Sequence, residues 1–144
     1  MEIDSLYSEI ITEHSRSKRN KRELERRTVV QNGVNPSCGD ELSLELLAED
    51  GRITDAAFTG VGCAISQASS SMMADVIRGK SLDEAARLCS AFLGMIKGQV
   101  PDAATMDALE DAAALQGVSK MPARVKCAVL PWHTLERALR AIDG

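Results

Sequence analysis

Between Glu41 and Glu49 the chain alternates Leu42, Leu44 and Leu46 with Glu41, Ser43 and Glu45, a period of two that predicts a strand with one buried face. Asp50-Gly51 is a favoured two-residue turn. Arg52 to Thr59 then runs back, with Ile53, Asp55, Ala57 and Thr59 on one face and Thr54, Ala56 and Phe58 on the other, so the whole stretch predicts a β-hairpin. Upstream, Thr28 to Asn32 reads as a short β-branched strand ended by Gly33. Elsewhere the apolar positions recur with helical spacing. Ile3, Leu6, Tyr7, Ile10 and Ile11 predict an amphipathic helix over 3–14, with Asp4 near its positive end. Ala64, Ile65, Ala68, Met72, Met73, Val76 and Ile77 predict a second over 64–78, closed by Gly79 in a left-handed cap. Ser81-Leu82-Asp83-Glu84 is a capping box that opens a third, with Ala85, Cys89, Phe92 and Ile96 along one stripe. Gly98 to Ala104 reads as a loop and Thr105 to Leu115 as an Ala-rich helix ending near Gly117. The chain closes in a helix from about Met121 whose apolar face carries Leu135, Leu139 and Ile142. Pro131 has no N–H for the carbonyl of Cys127, so a kink or break is expected there.

At 144 residues the chain fits one domain over 1–144. Hydrophobic residues make up 44 % but aromatics only 3 %, so the core is built from Leu, Ile, Val, Met and Ala, a mix that favours packed helices. No run of about eighteen apolar residues exists to span a membrane, and Glu2 and Asp4 stand where a secretory signal would be basic and then apolar. A soluble, cytoplasmic protein is expected. In that compartment four cysteines are thiols or metal ligands rather than disulfides. The formal charge of -4 is uneven: Arg16 to Arg27 holds seven Lys/Arg against Glu23 and Glu25, a local +5, leaving -9 on the rest. Either this segment is a solvated connection between the first helix and the sheet, or it steers the chain toward an acidic partner surface. The acidic body and scarce aromatics disfavour nucleic-acid binding.

Three segments carry chemistry. Asn35-Pro36-Ser37-Cys38-Gly39-Asp40 places a thiol and a carboxylate two residues apart on a backbone bent by Pro36 and loosened by Gly39; Gly60-Val61-Gly62-Cys63-Ala64 opens an apolar helical run; Arg124-Val125-Lys126-Cys127-Ala128 lies inside another. The predicted hairpin starts beside Asp40 and ends at Gly62, so strand pairing alone brings Cys38 and Asp40 next to Cys63. With Cys127 they make three thiolates and one carboxylate, the ligand count of a tetrahedral site, and soft sulfur selects zinc, copper(I) or an iron–sulfur cluster over magnesium or calcium. Cys89, on a buried helical stripe with no neighbouring Gly, acid or base, reads as core. His14 and His133 have no ligand-like spacing to any cysteine and read as surface groups. Arg124, three residues before Cys127 and so near the same helix face, either balances the site's negative charge or is an ordinary exposed residue.

Taken together, these motifs resemble the U-type sulfur carriers of iron–sulfur cluster assembly, on the SufU rather than the IscU scaffold branch. The resemblance also covers Leu6-Tyr7, His14 through Arg19-Asn20, Ile65-Ser66, Leu130 and Trp132. Scaffold-type relatives typically carry His where this chain has Lys126, and the segment around Gly98 to Lys120 is typical of SufU. The resemblance implies an α+β fold, a small antiparallel sheet of about three strands packed against helices, with zinc held by Cys38, Asp40, Cys63 and Cys127. It further implies a sulfurtransferase that takes persulfide sulfur from a SufS-type cysteine desulfurase onto Cys38, with Arg124 near the partner's active site and SUF scaffold proteins downstream. The alternative is a scaffold that builds a [2Fe–2S] cluster on the same ligands. Two departures stand out: relatives often have a proline within Ser17-Lys18-Arg19-Asn20, and another residue at Pro131.

Overall fold

The computed structural model describes residues 4–143, and the side chains of 9–142. Ile3, Leu6 and Tyr7, three of the apolar positions that predict the first helix, lie outside the described side chains. That helix, α1, runs Asp4–Arg16, and its Ile10 and Ile11 pack partly buried against the core. Strands β1 (Val29–Asn35), β2 (Asp40–Glu49) and β3 (Arg52–Val61) form an antiparallel sheet in the order β1-β2-β3. Helices α2 (Ala64–Ile77), α3 (Leu82–Ile96) and α4 (Ala103–Ala108), a 3-10 helix (Glu110–Lys120) and α5 (Pro122–Asp143) complete an α+β fold. No helix among the described residues is long and apolar enough to cross a membrane.

The hairpin forms where the leucine alternation places it. Asp50 (φ 54°) and Gly51 (φ 76°) both take the left-handed conformation that a tight two-residue hairpin needs. Its alternation is not strict, however. Leu47 pairs with Asp55 but Ala48 pairs with Ile53, so Thr54 is an extra residue and the strand bulges there. The bulge reverses the facing of Ile53, which joins Leu44, Leu46 and Ala56 in the core instead of sharing a face with Asp55. Strand β1 also differs from expectation, running through Gly33 to Asn35. Gly33 does not end the strand but lets α5 approach it: a Cβ there would collide with Thr134 Oγ1 and lie 3.2 Å from Leu130.

Helix α2 ends as expected at Gly79 (φ 86°), whose N–H donates to the Ile53 carbonyl at 2.7 Å. Ser81 Oγ accepts the Glu84 N–H at 3.1 Å and opens α3. The Ala-rich stretch departs from prediction: α4 stops after Ala108, Glu110 takes φ 51°, and the chain continues as a 3-10 helix to Lys120. Leu109, Ala112, Leu115 and Val118 are all buried, and their three-residue spacing lines one face of a helix with three residues per turn. Helix α5 is not broken at Pro131. The proline lies buried within an uninterrupted 22-residue helix, its ring covered by tertiary packing and the turn braced by Thr134 Oγ1 donating to the Leu130 carbonyl at 2.8 Å. Trp132 stacks on Phe92 with ring centroids 4.1 Å apart.

The basic segment after α1 is a strap. The Phe58 N–H donates to the Asn20 carbonyl at 2.9 Å, and Lys21 bridges Phe58 along the open edge of β3. The chain then crosses the sheet face opposite the helices. The Leu24 N–H and Arg27 bind the two carboxylate oxygens of Glu45 at 2.7 and 2.8 Å, and Leu24 itself is buried. Arg19, Arg22 and Arg26 pair with Asp75, Asp55 and Glu49. Much of the local positive charge is therefore met within the fold rather than held free for a partner. His14 is likewise not a surface group: it is buried, with Nδ1 2.9 Å from Ser71 Oγ and Nε2 2.9 Å from Asp111 Oδ2, tying α1 to α2 and to the 3-10 helix. His133 is exposed beside Glu136, as expected.

Candidate metal centre

Each residue of the centre is placed by a local device. Asn35 and Asp40 are paired residues closing the β1–β2 connection, where the Cys38 N–H donates to the Asn35 carbonyl at 3.2 Å and Gly39 takes φ +73°. Cys38 is thereby held exposed on a short turn. Asp40, the first residue of β2, is buried. Pairing of Glu41 with Val61 delivers the end of β3 next to it, and Cys63 follows as the N-cap of α2. Cys127 lies fully buried in the second turn of α5.

The ligand-capable atoms of Cys38, Asp40 and Cys127 all lie within 4.8 Å of one another. Cys63, the fourth predicted ligand, is not within that mutual distance and borders the group from the helix end. Its N–H donates to Asp40 Oδ1 at 3.1 Å, and its thiol lies beside that of Cys127. Ser66 Oγ donates to the same Asp40 oxygen at 3.2 Å. Gly62 is required here, because a Cβ would clash with Ser66 Oγ and come 2.6 Å from Asp40 Oδ1. Ser66 and Gly62 belong to the cysteine motifs, yet sequence reasoning gave neither a role. The available signal was position: Ser66 is the third residue of α2, where side chains commonly reach back to the cap.

Charge in the cluster is arranged unequally. Burial raises the proton affinity of Cys63, but the N–H of Ser66, the Cys127 thiol and the N–H of Ile65 outweigh it and hold Cys63 below its ordinary value, even against the nearby Asp40 charge. Burial and then the neighbouring Cys63 and Cys38 push Cys127 well above its own. The two neighbouring thiols are thus driven in opposite directions, Cys63 toward easier ionisation at the helix end and Cys127 away from it in the interior. Cys89 is set apart, buried with its sulfur 3.1 Å from the Trp132 carbonyl and its thiol pushed up to about 12 by burial and, less, by Glu136. Arg124 is exposed in the first turn of α5, one turn before Cys127, and makes no side-chain hydrogen bond or ion pair among the described residues.

The donor set suits a soft divalent cation. Asp40 offers a stronger sign: Oδ2 is buried and has no partner among the described residues, although Oδ1 has two. A buried carboxylate oxygen without a donor is costly unless a cation meets it. The sulfurs of Cys38 and Cys127 and a carboxylate oxygen of Asp40 form a group that could hold a metal ion, and the Cys63 thiol beside Cys127 adds a further soft donor at its edge.

The chain is 42 % identical over 142 residues to the zinc-dependent sulfurtransferase SufU of Bacillus subtilis, covering 99 % of this chain and 95 % of that protein. It is 39 % identical over 143 residues to the iron–sulfur cluster assembly scaffold protein IscU of Thermotoga maritima, covering 99 % of both. A crystal structure of SufU from Fervidobacterium islandicum, described as an iron–sulfur cluster assembly scaffold for the SUF system, superposes with a TM-score of 0.86 at 40 % identity, over 93 % of this chain and 96 % of that one. With residues 6–128 matching the NifU-like N terminal domain, the chain belongs to that family.

Proposed function

We propose that this protein works in iron–sulfur cluster assembly as a zinc-dependent sulfurtransferase, accepting persulfide sulfur from a SufS-type cysteine desulfurase onto Cys38. The observation that carries this reading is the buried Asp40, whose Oδ2 has no partner among the described residues and whose carboxylate lies within 4.8 Å of an exposed thiol, Cys38, and a buried one, Cys127. The likeness to Bacillus SufU, named a zinc-dependent sulfurtransferase, supports it. Cys38, Asp40, Cys63 and Cys127 would hold zinc, which when bound keeps its thiolates deprotonated at neutral pH.

The residues divide the work. Cys63 and Cys127 come from helices, and Asp40 from a strand whose carboxylate is fixed by the Cys63 N–H and Ser66. Cys38 sits on a turn exposed to solvent, so it is the ligand able to swing toward a partner. Its thiolate attacks the terminal sulfur of the donor's persulfide. The donor S–S bond breaks, the donor cysteine leaves as a thiolate with the electron pair, and a new S–S bond forms on Cys38 with the persulfide proton on the transferred sulfur. Arg124, exposed one turn before Cys127, is the cation we assign to meeting the partner at this rim.

The second reading, a scaffold holding a [2Fe–2S] cluster on these ligands, is favoured by the comparable likeness to Thermotoga IscU. Anaerobic purification separates the two: a colourless protein with one zinc per chain is expected, and a brown one with iron and sulfide would establish the scaffold. The carrier is tested by desulfurase turnover with the wild-type chain and with Cys38→Ala. Stimulation should vanish in the variant, and stimulation that survives would exclude Cys38 as acceptor.

A further inference from the structure

Asp40 Oδ2 is not the only buried polar atom at the centre without a partner among the described residues; Asn35 Nδ2 is another. The two residues are directly opposed on β1 and β2, so their side chains share one face of the sheet. Asn35 is 8 % exposed and Asp40 1 %. An amide donor and a carboxylate acceptor in that relationship would ordinarily bond each other, yet neither is paired. The rest of Asn35 is committed to the turn: Oδ1 accepts from Ser37 Oγ at 3.0 Å, and the main-chain carbonyl accepts the Cys38 N–H at 3.2 Å. What is left over is one buried amide donor, on the turn that presents Cys38, beside a carboxylate oxygen that is also left over. A lone buried donor next to a lone buried acceptor leaves two partners to be supplied, a cation or donor for the carboxylate and an acceptor for the amide.

We propose that Asn35 Nδ2 donates a hydrogen bond to the Cys38 sulfur once that sulfur carries negative charge, making Asn35 a positioning residue of the centre. This rests on the reading of Cys38 as a metal ligand. Three thiolates and a carboxylate leave a net charge of about -2 on a site holding a divalent ion, and an N–H directed at one sulfur stabilises that excess while aiming the side chain. Second partners of this kind, donating to a metal's ligands, commonly govern affinity as strongly as a weak ligand does.

The test compares wild type, Asn35→Ala, Asn35→Asp and Ser37→Ala, each stripped of metal and then titrated with zinc against a chromophoric chelator and with cobalt(II) as spectroscopic probe. Asn35→Ala is expected to bind zinc about 10–100-fold more weakly, and to shift the thiolate-to-cobalt charge-transfer band to longer wavelength as the sulfur loses its donor. Asn35→Asp keeps the shape of the side chain but replaces the donor with an acceptor, so it should weaken binding more than Asn35→Ala. It also serves as the measurement if Asn35→Ala does not fold, with circular dichroism checking each variant. Ser37→Ala should match wild type, since it removes only the contact to Oδ1. Unchanged zinc affinity and an unshifted cobalt band in a folded Asn35 variant would overturn the assignment. So would an equal loss in Ser37→Ala, which would locate the effect in turn stiffness. Wild-type zinc affinity in Cys38→Ala would instead sink the ligand reading itself, a failure visible independently of Asn35.

Discussion

Gly62 lies so close to Asp40 that a single added carbon on it would stand 2.6 Å from the carboxylate oxygen bound by the Cys63 N–H and Ser66. Gly62→Ala must therefore push Asp40 and Ser66 apart, although no metal-ligating atom is removed. Zinc affinity is expected to fall by about tenfold or more, with the circular dichroism of the metal-free protein retained. Chelator competition checks this, and an unchanged dissociation constant would show that the carboxylate can relax.

Cys89 supplies an alkaline signature. Its folded thiol is pushed up to about 12, above its unfolded value, so its protonated form contributes stability that is fully present below pH ~9 and lost as pH rises toward 12. In Cys89→Ala this dependence should be blunted, though at neutral pH the variant is less stable by about 1–2 kcal/mol from the small cavity. Denaturant melts of both proteins at pH 7 and pH 10 measure the difference. Equal pH slopes would mean that the thiol does not titrate with unfolding.

Arg78 joins four groups at the junction of strap, sheet and α2: it donates to Asp55, Asp75, the Asn20 side chain and the Ala56 carbonyl. Burial raises the proton affinity of Asp55 and Asp75, but hydrogen bonds from Arg22, Asn20, Arg19 and Arg78 more than offset it and hold both carboxyls below their ordinary range. Their contribution is therefore present above pH ~4 and lost as pH falls through the lowered values. Arg78→Met should cost about 2 kcal/mol at pH 7 and less at pH 3. Urea unfolding at the two pH values decides, and a loss as large at pH 3 would point to packing alone.

His14→Phe is predicted to destabilise by about 1–3 kcal/mol, because it leaves the buried Ser71 hydroxyl without its ring partner. Hydrogen exchange should then rise in α1 and in the 3-10 helix, which the imidazole ties together. Exchange confined to α1 would show that the Asp111 contact carries no weight.

The parts of the fold that were legible are those fixed locally. Leucine alternation, Asp50-Gly51, the glycine after α2 and the Ser81 capping box act within a few residues, and the hairpin made from them was enough to bring Asp40 beside Cys63. What escaped was decided by distant packing. Gly33 reads as a breaker until Thr134 and Leu130 are placed against it. Ile53 changes face through one extra residue, Thr54. Glu45 looks like an exposed position of an alternating strand but is covered by the strap, with Leu24 and Arg27 as its partners. His14 is itself buried and finds partners 57 and 97 residues away, which spacing to cysteines could not disclose. The 3-10 helix alone left a local trace, the three-residue recurrence from Leu109 to Val118, masked by an alanine content that favours the α-helix.

Because the centre draws on a turn near the start of the chain, a helix cap in its middle and a helix near its end, anything gripping these side chains ties the first hairpin to α5 like a rivet. Asp40, Cys63 and Cys127 alone already span the sheet and both helices, so the exposed turn carrying Cys38 can shift without unfastening the rest. A chain built this way separates the buried, anchored part of the cluster from the one thiol that meets solvent.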